Sequence, residues 1–230
     1  MTHQERLLAL VHGQVLDCQA SIGWPGPSPL WSDAVVVPHR QISDSLGHVE
    51  DRALLAEITS PFGKALKQGF TLNRLFQSDS HAADSLLDSL AEECKFACKS
   101  ALENGADGIF YRLHGATLDW STPMEYGGRY LERDREILSL SSHSRLSVLF
   151  VVGGAETFFD CVSDLESHLF GWDIHESNVG VSAMRKIRKG LLLCDDSLAD
   201  VRLVAPSKAI SRLLEDFDNA SIDLRSLAHV

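Results

Sequence analysis

Between Ser80 and Asn104 the apolar positions Leu87, Leu90, Cys94, Ala97, Cys98 and Ala101 recur at steps of three and four. This predicts a helix with one buried stripe. Gly105 suits the residue just past its end, where a left-handed conformation closes a helix. The period then changes. Asp107 to Leu113 reads as a strand, and Leu146 to Val152 is an unbroken apolar run bounded by Gly153-Gly154, the mark of a strand covered on both faces. Between them, Met124 to Leu140 predicts a second long helix, with Tyr130, Arg133, Ile137 and Leu138 spaced along it.

The remaining chain reads in the same way with shorter signals. Thr2 and Glu5 have the spacing of a capping box ahead of Leu7, Leu8, Leu10 and Val11, and the helix they predict stops at Gly13. Ser21 to Pro29 is rich in glycine and proline and reads as a loop. Ala34 to Val37 is a short strand ended by Pro38, and Ala53 to Ile58 another, stopped by Ser60-Pro61. Phe62 to Gln68 gives one or two helical turns. Glu156 to Leu165 predicts a helix, Leu169 to Trp172 a strand, and Val181 to Lys189 a helix with basic residues in its last turns. Strands follow at Gly190 to Cys194 and Val201 to Ala205, the latter stopped by Pro206. Ser207 to Phe217 and Ser221 to Ala228 read as closing helices.

From about residue 80, helices and strands alternate, which implies a parallel sheet with right-handed crossovers. The candidate strands lie near residues 34, 55, 109, 149, 170, 192 and 203, one short of a full barrel. The expected fold is α/β, a (β/α)8-type TIM barrel in incomplete or distorted form, over a single domain spanning 1-230. A doubly wound open sheet is the alternative.

Composition narrows the partners. The chain is 44% hydrophobic and 23% charged, ordinary for a globular protein, and carries a formal charge of -11. That charge repels phosphate backbones, so nucleic acid is not expected as a partner. Five scattered cysteines suggest reduced thiols. There is no apolar leader at the N-terminus and no run near the roughly 20 residues that span a bilayer. The expectation is a cytoplasmic protein with no membrane partner.

Candidate chemistry clusters at strand ends. His114 follows the strand Ile109 to Leu113 and is read as a general acid or a polar substrate contact at a barrel mouth, or else as a loop histidine bonded to backbone. Arg112 either neutralises a carboxylate or pairs with Glu103 or Asp119. Trp172 and Asp173 end another strand. Asp173 there orients a substrate or holds a cation, or else caps the following helix. His39 follows the strand ended by Pro38, on the productive side, whereas Asp33 precedes that strand and so falls at the bottom of a barrel unless the loop folds back. Cys94 and Cys98 lie in the apolar stripe and read as core, without partners for a metal site. Gly153-Gly154-Ala155 lacks the spacing of a phosphate-binding loop.

Taken in order, several segments resemble the uroporphyrinogen decarboxylase superfamily. They are the opening helix from Thr2 to Asp17, the turn Thr59-Ser60-Pro61-Phe62, the stretch Gly105-Ala106-Asp107-Gly108-Ile109-Phe110, and later Gly153, Phe159-Asp160, Trp172-Asp173 and Ala205-Pro206. The resemblance implies a distorted (β/α)8 barrel. It also implies either cofactor-free decarboxylation of the acetate arms of uroporphyrinogen, or methyl transfer with corrinoid or thiol acceptors, often with zinc. Trp31 to Pro38 resembles the segment that bears the decarboxylase's essential aspartate, which would make Asp33 that residue.

The chain departs from both branches. It is shorter than typical members between the first helix and Ser60, where the decarboxylases place arginines for substrate carboxylates. Met124 to Leu131 echoes the arginine signature on the wrong side of the Gly105 strand. Phe150 and Val152 stand where the methyltransferases carry the zinc-binding histidine and cysteine, so no metal is expected. The expected function is a decarboxylase-like lyase of the porphyrin-biosynthesis type, acting without cofactor on a tetrapyrrole or related carboxylated molecule. Asp33 and His114 would be catalytic, and Arg112, His39, Trp172 and Asp173 would contact substrate. The alternatives are a zinc-free corrinoid or methyltransferase-like relative and an inactive binding protein of the same fold. The expected partner is a small molecule of the tetrapyrrole or corrinoid class, with a homodimer as an open state of assembly.

Overall fold

The structure is a computed structural model that describes residues 2–12, 20–23, 32–49, 51–195 and 201–204. Eight strands close into a barrel: β1 (Ser21–Gly23), β2 (Ala34–Pro38), β3 (Ala53–Thr59), β4 (Gly108–Leu113), β5 (Leu146–Val151), β6 (Leu169–Asp173), β7 (Leu191–Asp195) and β8 (Val201–Val204). β1 to β7 pair parallel in chain order. β8 runs the other way and closes the barrel by pairing antiparallel with both β7 and β1. The connection dictates this reversal. Asp195 pairs with Val201, and so short a link allows only a hairpin, since a parallel crossover takes a dozen or more residues.

The helices are α1 (His3–Val11), α2 (Ile42–Ser45), α3 (Pro61–Lys67), α4 (Leu72–Ser78), α5 (Ser80–Glu103), α6 (Pro123–Arg129), α7 (Leu131–Ser139), α8 (Ile174–Ser177) and α9 (Val181–Ile187). None is long and apolar enough to cross a membrane.

Strand alternation divides the core in two. Ala34, Val36, Ala53, Leu55, Phe110, Leu146, Val148, Phe150 and Leu169 face inward and meet Leu7 and Leu10 of α1. Ile109, Tyr111, Leu113, Leu149, Val151, Phe170 and Trp172 face outward. There the predicted stripe of α5, Leu87 to Ala101, is buried residue for residue. Gly105 closes α5 at a φ of +95°, a conformation glycine adopts without the Cβ penalty.

α1 seals the bottom of the barrel, at the N-terminal ends of the strands. Its capping box forms as predicted, with Thr2 and Glu5 bonded reciprocally. Two carboxylates at strand starts then hold it. Asp107 accepts from Gln4 Nε2 at 2.6 Å and from Leu54 N–H at 2.9 Å. Asp33 accepts from His3 Nδ1 at 2.8 Å and from Arg6.

Three segments differ from the expectations. The loop expected over Ser21 to Pro29 begins with β1, whose three residues are too few to show a period. The long helix expected from Met124 is two helices, α6 and α7, broken at Tyr130 with φ −119° and ψ −40° just after Gly127-Gly128, a pair of poor helix formers. The break lets Tyr126 and Asp134 meet in the core, hydroxyl to carboxylate at 2.7 Å. The helix expected over Glu156 to Leu165 is only a 3-10 turn at Phe159–Cys161. Thr157 pairs with Thr117, and Phe158 N–H donates to Ala116 O at 3.1 Å, which holds the segment extended against the loop after β4. The predicted closing helices from Ser207 and Ser221 lie outside the described residues.

Candidate functional site

The C-terminal ends of β3 and β4 carry polar residues on the barrel interior. Along β3 the inward positions run Ala53, Leu55, Glu57 and Thr59, and along β4 they run Phe110 and Arg112. The rings of Phe110 and Phe150 stack at 5.6 Å and floor the mouth. One step further up each strand, Arg112 donates to Glu57 Oε1 at 3.1 Å, both side chains about one-fifth exposed. Arg112 thus pairs with neither Glu103 nor Asp119.

Ser60 ties this sector together. It caps α3, accepting from Gly63 N–H at 3.2 Å, and also accepts from His114 N–H at 3.1 Å. The imidazole of His114 then lies flush against α3. A Cβ on Gly63 would fall 2.5 Å from His114 Cδ2 and 2.7 Å from Thr59 Cγ2, so a side chain at Gly63 would displace the ring. Burial, with the cations Arg112 and Lys67 nearby, pushes the His114 pKa down to about 4. The ring is neutral at pH 7, so it acts there as a hydrogen-bonding partner or proton acceptor and not as an acid. Its Nε2 is buried and has no hydrogen-bond partner among the described residues. Lys67, exposed along its stem, turns its ammonium back to donate to Thr59 Oγ1 at 3.1 Å.

His39 opens a 3-10 turn directly after β2. Its pKa is lowered by burial and by Lys64 and Arg40, against a hydrogen bond with the Glu57 backbone. It therefore stands at the same end of the barrel as Arg112 and His114. Asp173 also lies at this end, but its carboxylate caps α8 by accepting from the N–H groups of His175 at 2.8 Å and Glu176 at 2.9 Å. Trp172 faces away from the interior. It is fully buried, and its indole N–H donates to Val179 O at 2.8 Å.

Asp33 lies at the other end. It is 1% exposed. Besides His3 and Arg6 it accepts from Ser21 N–H at 2.8 Å, and its own carbonyl accepts from Ala53 N–H. Ala53 starts β3 and Ser60, which touches His114, follows its end, so Asp33 and His114 are separated by about 23 Å of strand. The structure does not bring the two together. Asp33 is an anchor for α1 beneath the barrel, at the start of β2.

The residues that sequence reading missed here are Glu57, Thr59 and Lys67. The signal was present in Ala53-Leu55-Glu57-Thr59, where an inward-facing set turns from apolar to polar along one strand. Cys94 and Cys98 are buried core residues as expected, their thiol pKa values pushed up by burial to about 12 and about 11. Phe150 is committed to the aromatic floor, and no group of three or more His, Cys, Asp or Glu side chains gathers for a metal among the described residues.

No family model matches the sequence, and no curated protein matches it. Among solved structures the fold is similar to that of a methyltransferase from Methanosarcina mazei. The TM-score is 0.68 over 84% of this chain and 82% of that one, at 13% sequence identity. The likeness is one of fold, an α/β barrel of TIM type in distorted form.

Proposed function

We propose that the chain is a methyl-transfer relative of the barrel enzymes, acting at the C-terminal mouth on small-molecule substrates without zinc, with a corrinoid or similar carrier as methyl donor. The observation that carries this reading is the extent of the likeness to the Methanosarcina methyltransferase, which runs over most of both chains. The position of the polar sector agrees with it, since catalytic groups of TIM barrels sit at the C-terminal face. In this reading Arg112, held by Glu57, orients the acceptor, and neutral His114 takes its proton. The stacked Phe110 and Phe150 keep water from the floor.

Cofactor-free decarboxylation of a carboxylated tetrapyrrole is the second reading. The pairing of Arg112 with a carboxylate favours it, and the place of Asp33 at the barrel bottom counts against it. Two assays separate the readings: loss of the methyl group from methylcobalamin in the presence of a thiol, and release of carbon dioxide from uroporphyrinogen. Methyl loss supports the first, and carbon dioxide release supports the second and overturns the first. Saturable binding of either compound without turnover would make the chain a binding protein of this fold.

A further inference from the structure

We propose that Lys67, Arg112 and His114 form an oxyanion subsite at the β3–β4 sector of the mouth, which holds a carboxylate or phosphate group of the ligand. The inference rests on the mouth being the functional face and adds the class of group recognised there.

Three observations lead to it. First, Lys67 has no carboxylate partner among the described residues, yet its ammonium is folded inward onto the neutral hydroxyl of Thr59. A lysine at an exposed position on a helix's last turn ordinarily extends into water, where its charge is best solvated. Second, Thr59 and Arg112 are direct partners in the β3–β4 register, which places the bound ammonium and the guanidinium on one side of the barrel axis. Lys67 and Arg112 bring two positive charges to this side of the mouth, beside the carboxylate of Glu57, on a chain whose net charge is -11. Third, the His114 ring is wedged against Gly63, and its buried Nε2 lacks a partner. Leaving a buried polar atom unbonded is costly, and an anion in the sector removes that cost once the ring is protonated or presents Nε2–H. A planar carboxylate or a phosphate offers the acceptor oxygens that an ammonium, a guanidinium and an imidazole all bind well.

The proposal also explains the electrostatics. Burial first, and then the cations Arg112 and Lys67, lower the His114 pKa to about 4. An oxyanion between them offsets their positive field, so the His114 pKa rises on binding.

The test follows the His114 ring signals by NMR while the full chain is titrated at constant ionic strength with sodium succinate, with inorganic phosphate, and with chloride as control. The expected result is a saturable shift with succinate or phosphate, a dissociation constant of about 1 mM or tighter, and a His114 pKa that moves upward. Whichever of the two anions binds more tightly identifies the group recognised. Lys67→Met, at an exposed position, is expected to weaken binding about tenfold with unchanged thermal unfolding, and Lys67→Arg to recover most of it. No saturable shift with either anion overturns the proposal, as does a Lys67→Met chain that binds as tightly as the wild type. Because the readout needs no turnover, anion binding in a chain that transfers no methyl group leaves this inference standing and removes only the functional reading.

Discussion

Asp134 is a buried carboxyl held by two phenols. It lies buried between the hydroxyls of Tyr111 at 2.5 Å and Tyr126 at 2.7 Å, and burial raises its pKa to about 7. Both phenols are held protonated, their pKa values driven up by the same burial. The folded chain therefore binds this proton more tightly than the unfolded chain, whose aspartate titrates near 4. The stability that the proton confers is complete below about pH 4 and is lost as the pH rises towards 7, at a limiting slope of about 1.4 kcal/mol per pH unit. Asp134→Asn is expected to flatten that slope, which urea unfolding across this pH range measures. Asp33 serves the fold through its ion pair with Arg6. Replacing it with alanine strips Arg6 of its carboxylate at a buried joint and is expected to cost about 3–5 kcal/mol in unfolding free energy. Ligand binding at the mouth of the folded fraction is expected to persist, because that site lies at the opposite end.

At the level of elements, the seam between α3 and β4 decides the geometry of the mouth. Ser60 joins the two, and Gly63 lets the His114 ring approach. Gly63→Ala is expected to cost about 1–3 kcal/mol by overpacking and to weaken anion binding by pushing the imidazole aside. Differential scanning calorimetry and the His114 titration check the two effects separately. The long periodic elements are legible in the amino-acid sequence. The stripe of α5, the capping box of α1 and the covered run of β5 all lie where periodicity puts them, because helix and strand periods survive in a buried face. Elements set by contacts distant in sequence are not legible in this way. The segment after Gly154 has helical spacing, yet hydrogen bonds to residues 116–118 hold it extended. The break at Tyr130 has a local sign in Gly127-Gly128, which the apolar spacing from Met124 to Leu140 overrides when read alone.

For the molecule as a whole, two ends of one barrel do different work. The bottom is a stability device, in which α1 is clamped by Asp33 and Asp107 at the starts of β2 and β4. The top gathers His39, Glu57, Lys67, Arg112 and His114 around an aromatic floor. The strand order fixes which end a residue occupies, so Arg112, His114 and His39 could be placed from their positions after strands, and Asp33 from its position before one. What the strand order could not convey is which side chains spend their hydrogen bonds on the fold, as Asp173 does in capping α8 and Trp172 in binding Val179. The direct test of the claim that function sits at the C-terminal mouth is turnover in Arg112→Met and Asp33→Asn chains, assayed side by side for methyl loss from methylcobalamin and for carbon dioxide release from uroporphyrinogen. Methyl transfer that survives Asp33→Asn at a similar kcat and falls at least about tenfold in Arg112→Met agrees with it. Carbon dioxide release abolished by Asp33→Asn and untouched by Arg112→Met contradicts it.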